Sequence, residues 1–296
     1  MNALLDPGVL SSIHDLEMVA RLTVEGALSG LHRSPFHGYS AEFHQYRHYR
    51  AGDDLKYVDW KLFARTDRIY TKQFRESTDV RVHLVVDASA SMGYRSGAGI
   101  SKLEYGRLLA AALAHLFIGQ GDAAGLIVHD DDVRAYVGAR RGRGHLRRLL
   151  VELSRATAGG RTASAHALRR AVDLMASRGI VILISDLYDD EDGVDAALRR
   201  ATRMGHEVVV LHVFTADELA LTHRAPVQYQ DAETNEVVLG GSSTARDYAA
   251  RFTAFLERWR TRCASYNIDY CQVRTDAPPD RLLRGYLLQR ARRPRP

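Results

Sequence analysis

The chain has 296 residues, 46% hydrophobic and 26% charged, a balance that fits a globular protein with a full core and excludes a disordered or fibrous one. No run approaches the roughly 18–20 continuous apolar residues of a bilayer span, and the opening MNALLDPGVLSSIHDLEMVA lacks the basic start and apolar block of a secretory leader. The formal charge of +5 is concentrated in a tail whose last sixteen residues hold six arginines and no acid, so the rest of the chain is close to neutral and net charge alone does not argue for nucleic acid.

Residues 11–31 carry apolar side chains at helical spacing, with Ser12 as the expected N-cap and Gly30 near the end. Residues 34–78 are rich in Tyr, Arg, His and Asp. They predict strand-like ribbons about a turn at Ala51-Gly52-Asp53, with a short helical piece from Trp60 to Arg65. From residue 80 the pattern changes. VRVHLVVDA is a continuous β-branched run of the kind buried on both faces of a parallel sheet. A helix from Leu103 to Phe117 follows. AAGLIVHD and VRAYVGA, separated by Asp130-Asp131-Asp132, then read as a hairpin. Helices over 144–156 and 164–177, the strand GIVILISD, a helix over 191–203 and the strand EVVVLHVF complete an alternating series. After residue 215 an irregular stretch holds a short strand at Val237-Val238-Leu239. A helix over 244–262, a strand over 268–273 and a helix from 279 end the chain.

This order predicts an α/β fold: a doubly wound, mostly parallel, Rossmann-like sheet with one antiparallel edge strand. Residues 1–78 are expected to form an N-terminal helix and extension packed on the sheet. Residues 79–296 are expected to form the α/β domain with its C-terminal helix and arginine-rich tail. The second basic run, with Arg140, Arg141, Arg143, Arg147 and Arg148, has no interleaved aromatics to stack on bases. It reads as a solvated helix face, and no nucleic-acid partner is expected. Two cysteines, Cys263 and Cys271, fit neither a zinc pair nor a CxxC redox motif. With no leader and no span, they point to a cytoplasmic protein that does not insert directly in a membrane.

In open α/β sheets ligands bind beyond the carboxyl ends of the strands. Three polar clusters fall there: Asp87-Ala-Ser89-Ala-Ser91, Gly159-Gly160-Arg161-Thr162 and Ser185-Asp186. Hydroxyls and carboxylates without thiol or imidazole suit a hard cation, Mg²⁺ or else Mn²⁺ or Ca²⁺. With Ser89, Ser91 and Thr162 neutral, Asp87 and Asp186 would act on the ion through waters and by orienting the hydroxyls. Each cluster alone has an ordinary reading as an Asx or Ser turn or a helix cap. Their joint occurrence, in order, favours the metal site. His37, His44 and His48 have no carboxylate or cysteine at ligand spacing beside them.

Asp87-x-Ser89-x-Ser91, Gly-Gly-x-Thr162 and Ile-Ser-Asp186 resemble the metal-ion-dependent adhesion site of von Willebrand factor type A domains. That resemblance implies serine and threonine contacts to the ion and aspartates working largely through water. Two departures stand out: Leu187 follows Asp186 where the family usually has glycine, and Arg161 lies beside Thr162. The earlier segment Arg47-x-Tyr49-x-x-Gly52-Asp53-Asp54-x-x-x-x-Asp59-Trp60-Lys61-x-x-Ala64-Arg65 resembles the signature of a bacterial family, domain of unknown function 58. The likeness extends over most of the chain, to Val-Arg-Thr-Asp-Ala-Pro and the final helix. It implies a MoxR-type AAA+ ATPase or its client as partner. Read from its residues alone, the segment is either an ion-pair network of Arg47, Asp53, Asp54, Asp59, Lys61 and Arg65 over a packed Trp60, or a partner surface. The mixed signs favour the network.

The leading expectation is a non-enzymatic, metal-dependent interaction module that captures an acidic side chain of a partner. A metal-dependent phosphoester hydrolase with Asp87 as nucleophile is the alternative. Against it, a serine holds the second acidic place of an Asp-x-Asp loop, and no GxSxG, HExxH or GxxxxGK[ST] motif occurs. The oligomeric state is not legible.

Overall fold

The computed structural model describes residues 7, 15–29, 40–49, 58–77, 80–160, 164–175, 177–219, 227–230, 237–240 and 242–292. The uniformly apolar runs form the centre of a six-stranded sheet. Its strands are β3 (Arg81–Asp87), β4 (Ala123–His129), β5 (Val133–Arg140), β6 (Ile180–Ser185), β7 (Glu207–Phe214) and β10 (Asp269–Arg274), in the order β10-β7-β6-β3-β4-β5. Every neighbouring pair is parallel except β4 and β5, the expected antiparallel edge. The chain moves from β3 outward to β5, then returns to lay β6 along the other side of β3. The strand order therefore reverses between β3 and β6, where loops part and leave a crevice.

Alternation along the strands serves two cores. Val82, Leu84 and Val86 of β3 join Ile182, Ile184, Leu211 and Val213 on one face, while Val85, Val181, Leu183 and Val210 point to the other. The first face is covered by α3 (Lys102–Gly119), α4 (Arg143–Arg155) and α9 (Pro279–Arg292). The second is covered by α5 (Ser164–Asp173), α6 (Glu191–Arg203) and α8 (Ser242–Ser265). α3 is apolar nearly all round, which requires cover on its outer side too. α1 (Leu16–Leu28) supplies it: Val19, Ala20, Val24 and Ala27 join the core that α3 and α9 share. Arg284 of α9 donates to the carbonyls of Gly26, Ala27 and Ser29, satisfying the last turn of α1. The N-terminal helix thus packs on helices α3 and α9, a correction to its expected seat on the sheet.

Other boundaries differ locally. Asp15, not Ser12, caps α1, accepting from the amides of Glu17 and Met18. The helix expected over 164–177 ends at Asp173, because Met175 turns back into the core beneath it. β8 (Val227–Gln230) pairs with β9 (Val237–Gly240), a hairpin in the stretch expected to be irregular apart from its second strand. A four-residue helix, α7 (Ala216–Leu219), follows β7. Among the described residues no helix is long and apolar enough to cross a membrane.

In the extension, β1 (Ser40–His48) pairs antiparallel with β2 (Tyr70–Ser77), with α2 (Trp60–Thr66) between them. Of the expected network, Asp53, Asp54 and the side chain of Lys61 lie outside the described residues. Asp59 is buried and caps α2, accepting from the Leu62 amide at 3.0 Å and the Tyr46 hydroxyl at 2.9 Å. Trp60 is not packed beneath the segment. It is 58% exposed and touches Phe63 edge-on, because the side chain at the first helical position faces away from the hairpin that Asp59 faces. His48 lies against Tyr70 with ring centroids 4.6 Å apart; His37 and the side chain of His44 lie outside the described residues.

Candidate metal centre

β3 and β6 are adjacent and parallel, with Val86 opposite Ile184, so Asp87 and Asp186 emerge together at the crevice. Asp87 is 1% exposed and both its oxygens are engaged: Oδ1 accepts from the Ser89 amide at 2.9 Å, Oδ2 from the Ser185 hydroxyl at 2.6 Å. Burial pushes its pKa up, and neighbouring Asp186 adds to that, while His129 across the strand pair and the two hydrogen bonds oppose it. The loop after β3 turns into a short 3₁₀ helix at Ala90–Gly93. That turn brings Ser89 Oγ and Ser91 Oγ within 3.1 Å of each other. Beside them His129 is fully buried, and its Nε2 has no hydrogen-bond partner among the described residues.

Thr162 and Arg161 lie outside the described residues, but the approach to them is fixed. The Gly159 amide donates to the Ala88 carbonyl at 3.0 Å, stitching this loop to the residue after Asp87. Gly160 has φ +78°, and a Cβ there would clash with Asp130 Oδ2, so glycine is required on two counts. Asp130 is itself buried and paired with Arg134, whose other nitrogen donates to the Thr157 carbonyl.

Asp186 is fully buried, and its two oxygens are taken. Oδ1 accepts from the Tyr188 amide at 3.2 Å, and Oδ2 accepts from the ammonium of Lys102 at 2.7 Å. Lys102 also donates to Glu218 Oε1 at 2.9 Å. Burial by itself lowers the lysine's pKa, but the two carboxylates outweigh it and keep the ammonium charged. The other oxygen of Glu218 accepts from the amide and hydroxyl of Thr215. This trio joins the loops after β3, β6 and β7, and sequence reasoning missed it. One local signal was present: Ser101-x-x-Glu104 and Thr215-x-x-Glu218 both have capping-box spacing. The first is realised in full and sets Lys102 as the opening residue of α3, where a helix dipole disfavours a cation.

The departure at Leu187 is visible in the backbone. Leu187 has φ +56°, the left-handed region a glycine would occupy without strain, yet its side chain is 2% exposed and part of the second core. Its amide donates to Ser185 Oγ, the same hydroxyl that holds Asp87.

The paired hydroxyls of Ser89 and Ser91, backed by anchored carboxylates, form a set of oxygen donors of the kind that fits a hard divalent ion. No group of three or more His, Cys, Asp or Glu among the described residues is placed to hold a metal. An ion here would therefore be met by hydroxyls first.

The profile of the family described as "Protein of unknown function DUF58" matches residues 45–258. The chain belongs to that family. Within it, this DUF58 chain has a six-stranded, mostly parallel α/β core preceded by the β1–β2 extension. It is similar to "Uncharacterized protein Rv1480" of Mycobacterium tuberculosis (strain ATCC 25618 / H37Rv), 29% identical over 235 residues that cover 78% of this chain and 73% of that protein. Among solved structures it is similar to an aerotolerance-related membrane protein from Bacteroides fragilis, with 18% identity and a TM-score of 0.47, over 72% of this chain and 98% of that one. It is also similar to the SpRpn10 VWA domain, with 10% identity and a TM-score of 0.42, over 70% of this chain and 94% of that one.

Proposed function

We propose that this DUF58 chain is a metal-dependent protein-interaction module, working in the cytoplasm as an adaptor for a MoxR-type AAA+ ATPase or its client. A divalent cation, Mg²⁺ or alternatively Mn²⁺ or Ca²⁺, sits at Ser89, Ser91 and Thr162, with Asp87 and Asp186 behind them. An acidic side chain of the partner completes its coordination. The observation that carries the reading is the pair of hydroxyls of Ser89 and Ser91, 3.1 Å apart over an aspartate whose two oxygens are both anchored. Neutral ligands leave the ion strongly Lewis-acidic and short of negative charge, so a carboxylate from outside is the natural last ligand. The anchoring of Asp87 by Ser89 and Ser185 also supports a binding role over a nucleophilic one, which needs a free oxygen.

The test is ion-dependent stability joined to partner capture. At a hundredfold excess over its Kd, Mg²⁺ stabilises the fold by about 2.7 kcal/mol, read as a rise in Tm. Ser89→Ala with Ser91→Ala abolishes that rise, and the same variant or EDTA abolishes pull-down of the ATPase. A double variant that responds to the ion and holds the partner like the wild type overturns the proposal.

A further inference from the structure

Lys102 stands outside the Asp-x-Ser-x-Ser motif, yet its ammonium takes an oxygen of one of the two aspartates on which the crevice depends. It is 1% exposed, bonded to Asp186 at 2.7 Å and to Glu218 at 2.9 Å, with the Tyr188 ring 5.0 Å away. Its place is set by local hydrogen bonds. The capping box of Ser101 and Glu104 starts α3 at Lys102, so the side chain rises from the helix into the crevice. Glu218 is equally fixed, because Thr215 occupies its second oxygen.

We propose that Lys102 is a resident cation of the Asp87–Asp186 crevice, competing with a divalent ion for Asp186 and setting how tightly the site takes one. The inference rests on the reading of the crevice as a cation site and adds a residue that tunes it. A buried ammonium is not screened by solvent, so it opposes a second cation nearby far more strongly than a surface lysine would. It also commits the Asp186 oxygen that would otherwise accept from an ion's water or orient its hydroxyl ligands. Glu218 shares the ammonium with Asp186 and so moderates that competition. The arrangement keeps Asp186 neutralised when no divalent ion is present, and it makes ion binding depend on what a partner's carboxylate adds.

Titration calorimetry with Mg²⁺ and with Mn²⁺ alone tests this on three full-length chains: wild type, Lys102→Met, and Lys102→Met with Glu218→Gln. Lys102→Met is expected to bind the ion at least tenfold more tightly than the wild type. The double variant removes one positive and one negative charge, so net charge at the crevice is unchanged and a purely Coulombic account expects no gain. Release of Asp186 still predicts severalfold tighter binding, and this variant leaves fewer buried acids unpaired, so it serves if Lys102→Met alone does not fold. Binding that is unchanged or weaker in the folded double variant overturns the inference. If that happens while wild-type binding is still lost in Ser89→Ala with Ser91→Ala, the proposed function stands without it. If no chain takes up either ion, the cation reading and this inference fall together.

Discussion

The hydroxyl of Ser185 donates to Asp87 Oδ2 at 2.6 Å, linking the ends of two adjacent parallel strands through groups that are both about 2% exposed or less. The same hydroxyl accepts from the Leu187 amide, so one side chain holds the carboxylate and the following turn together. Ser185→Ala leaves a buried carboxylate short of a bond, and a hydrogen bond to a charged group is worth about 1.5–3 kcal/mol. The expected loss of unfolding free energy, by urea titration, is about 2 kcal/mol at neutral pH. Asp87 already has a raised pKa from burial, and the Ser185 bond is one of the effects holding it down. Removing that bond raises it further, so the deficit narrows as pH falls and Asp87 takes up its proton. A deficit that stays constant between pH 7 and pH 4 would falsify this account.

Acid should unfold the protein through buried histidines, two of which lie at the opposite end of the sheet. His83 and His206 are buried with ring centroids 6.1 Å apart, and His83 Nε2 and His206 Nδ1 have no partner among the described residues. Burial, then the neighbouring His206 and Arg81, brings His83 down to about 4 from 6.5. Burial brings His212, which is level with Ser185 at the crevice end of β7, down to about 3. Folded values below the unfolded one mean that the unfolded chain binds these protons first. Stability is therefore complete above about pH 6.5 and drains away as pH falls towards 4, at about 1.4 kcal/mol per unit of depression for each group. Urea midpoints from pH 7.5 to 4.5 should fall steeply over that window, and His83→Leu should flatten the slope. A slope identical to the wild type's removes His83 from the explanation.

What was legible in the sequence follows the range of the forces involved. β3, β6 and β7 announce themselves because strands buried on both faces must be apolar throughout, and the Asp130–Asp132 turn marks the antiparallel edge. Asp87, Ser89 and Asp186 could be placed at the ends of β3 and β6 because strand ends are predictable from the same runs. Lys102 was not, since its partners lie 84 and 116 residues away and its local window shows only a helix start. Trp60 misled for a related reason: a large aromatic suggests burial, but Asp59 takes the inward place as the cap of α2 and turns Trp60 outward.

Gly160 should be intolerant of any side chain. Its φ of +78° disfavours L-residues, and a Cβ would clash with Asp130 Oδ2. Strained backbone of this kind costs about 1–3 kcal/mol. Asp130 cannot easily yield, because it is buried and paired with Arg134. Gly160→Ala is expected to lower stability by about 2 kcal/mol and to shift the segment leading to Thr162. The Mg²⁺-induced rise in Tm should shrink by more than the stability loss alone accounts for. A variant with lower Tm but an undiminished ion response would detach this loop from the site.

Leu187 offers the sharpest separation of backbone from side chain. Its left-handed φ of +56° costs about 1–2 kcal/mol for an L-residue, while its side chain is almost fully buried in the second core. Truncation to alanine removes the buried side chain, at about 2–5 kcal/mol, and keeps the backbone penalty. Truncation to glycine removes a little more buried surface but abolishes the penalty. In ordinary helical or extended backbone glycine is the worse replacement, by about 0.5–1 kcal/mol. Here the order should invert: Leu187→Gly is expected to be more stable than Leu187→Ala by about 1 kcal/mol, with both below the wild type. Parallel urea titrations of the three proteins decide it. If alanine proves the better substitute, the turn after Asp186 relaxes without its leucine, and that side chain rather than the chain's path is what sets it.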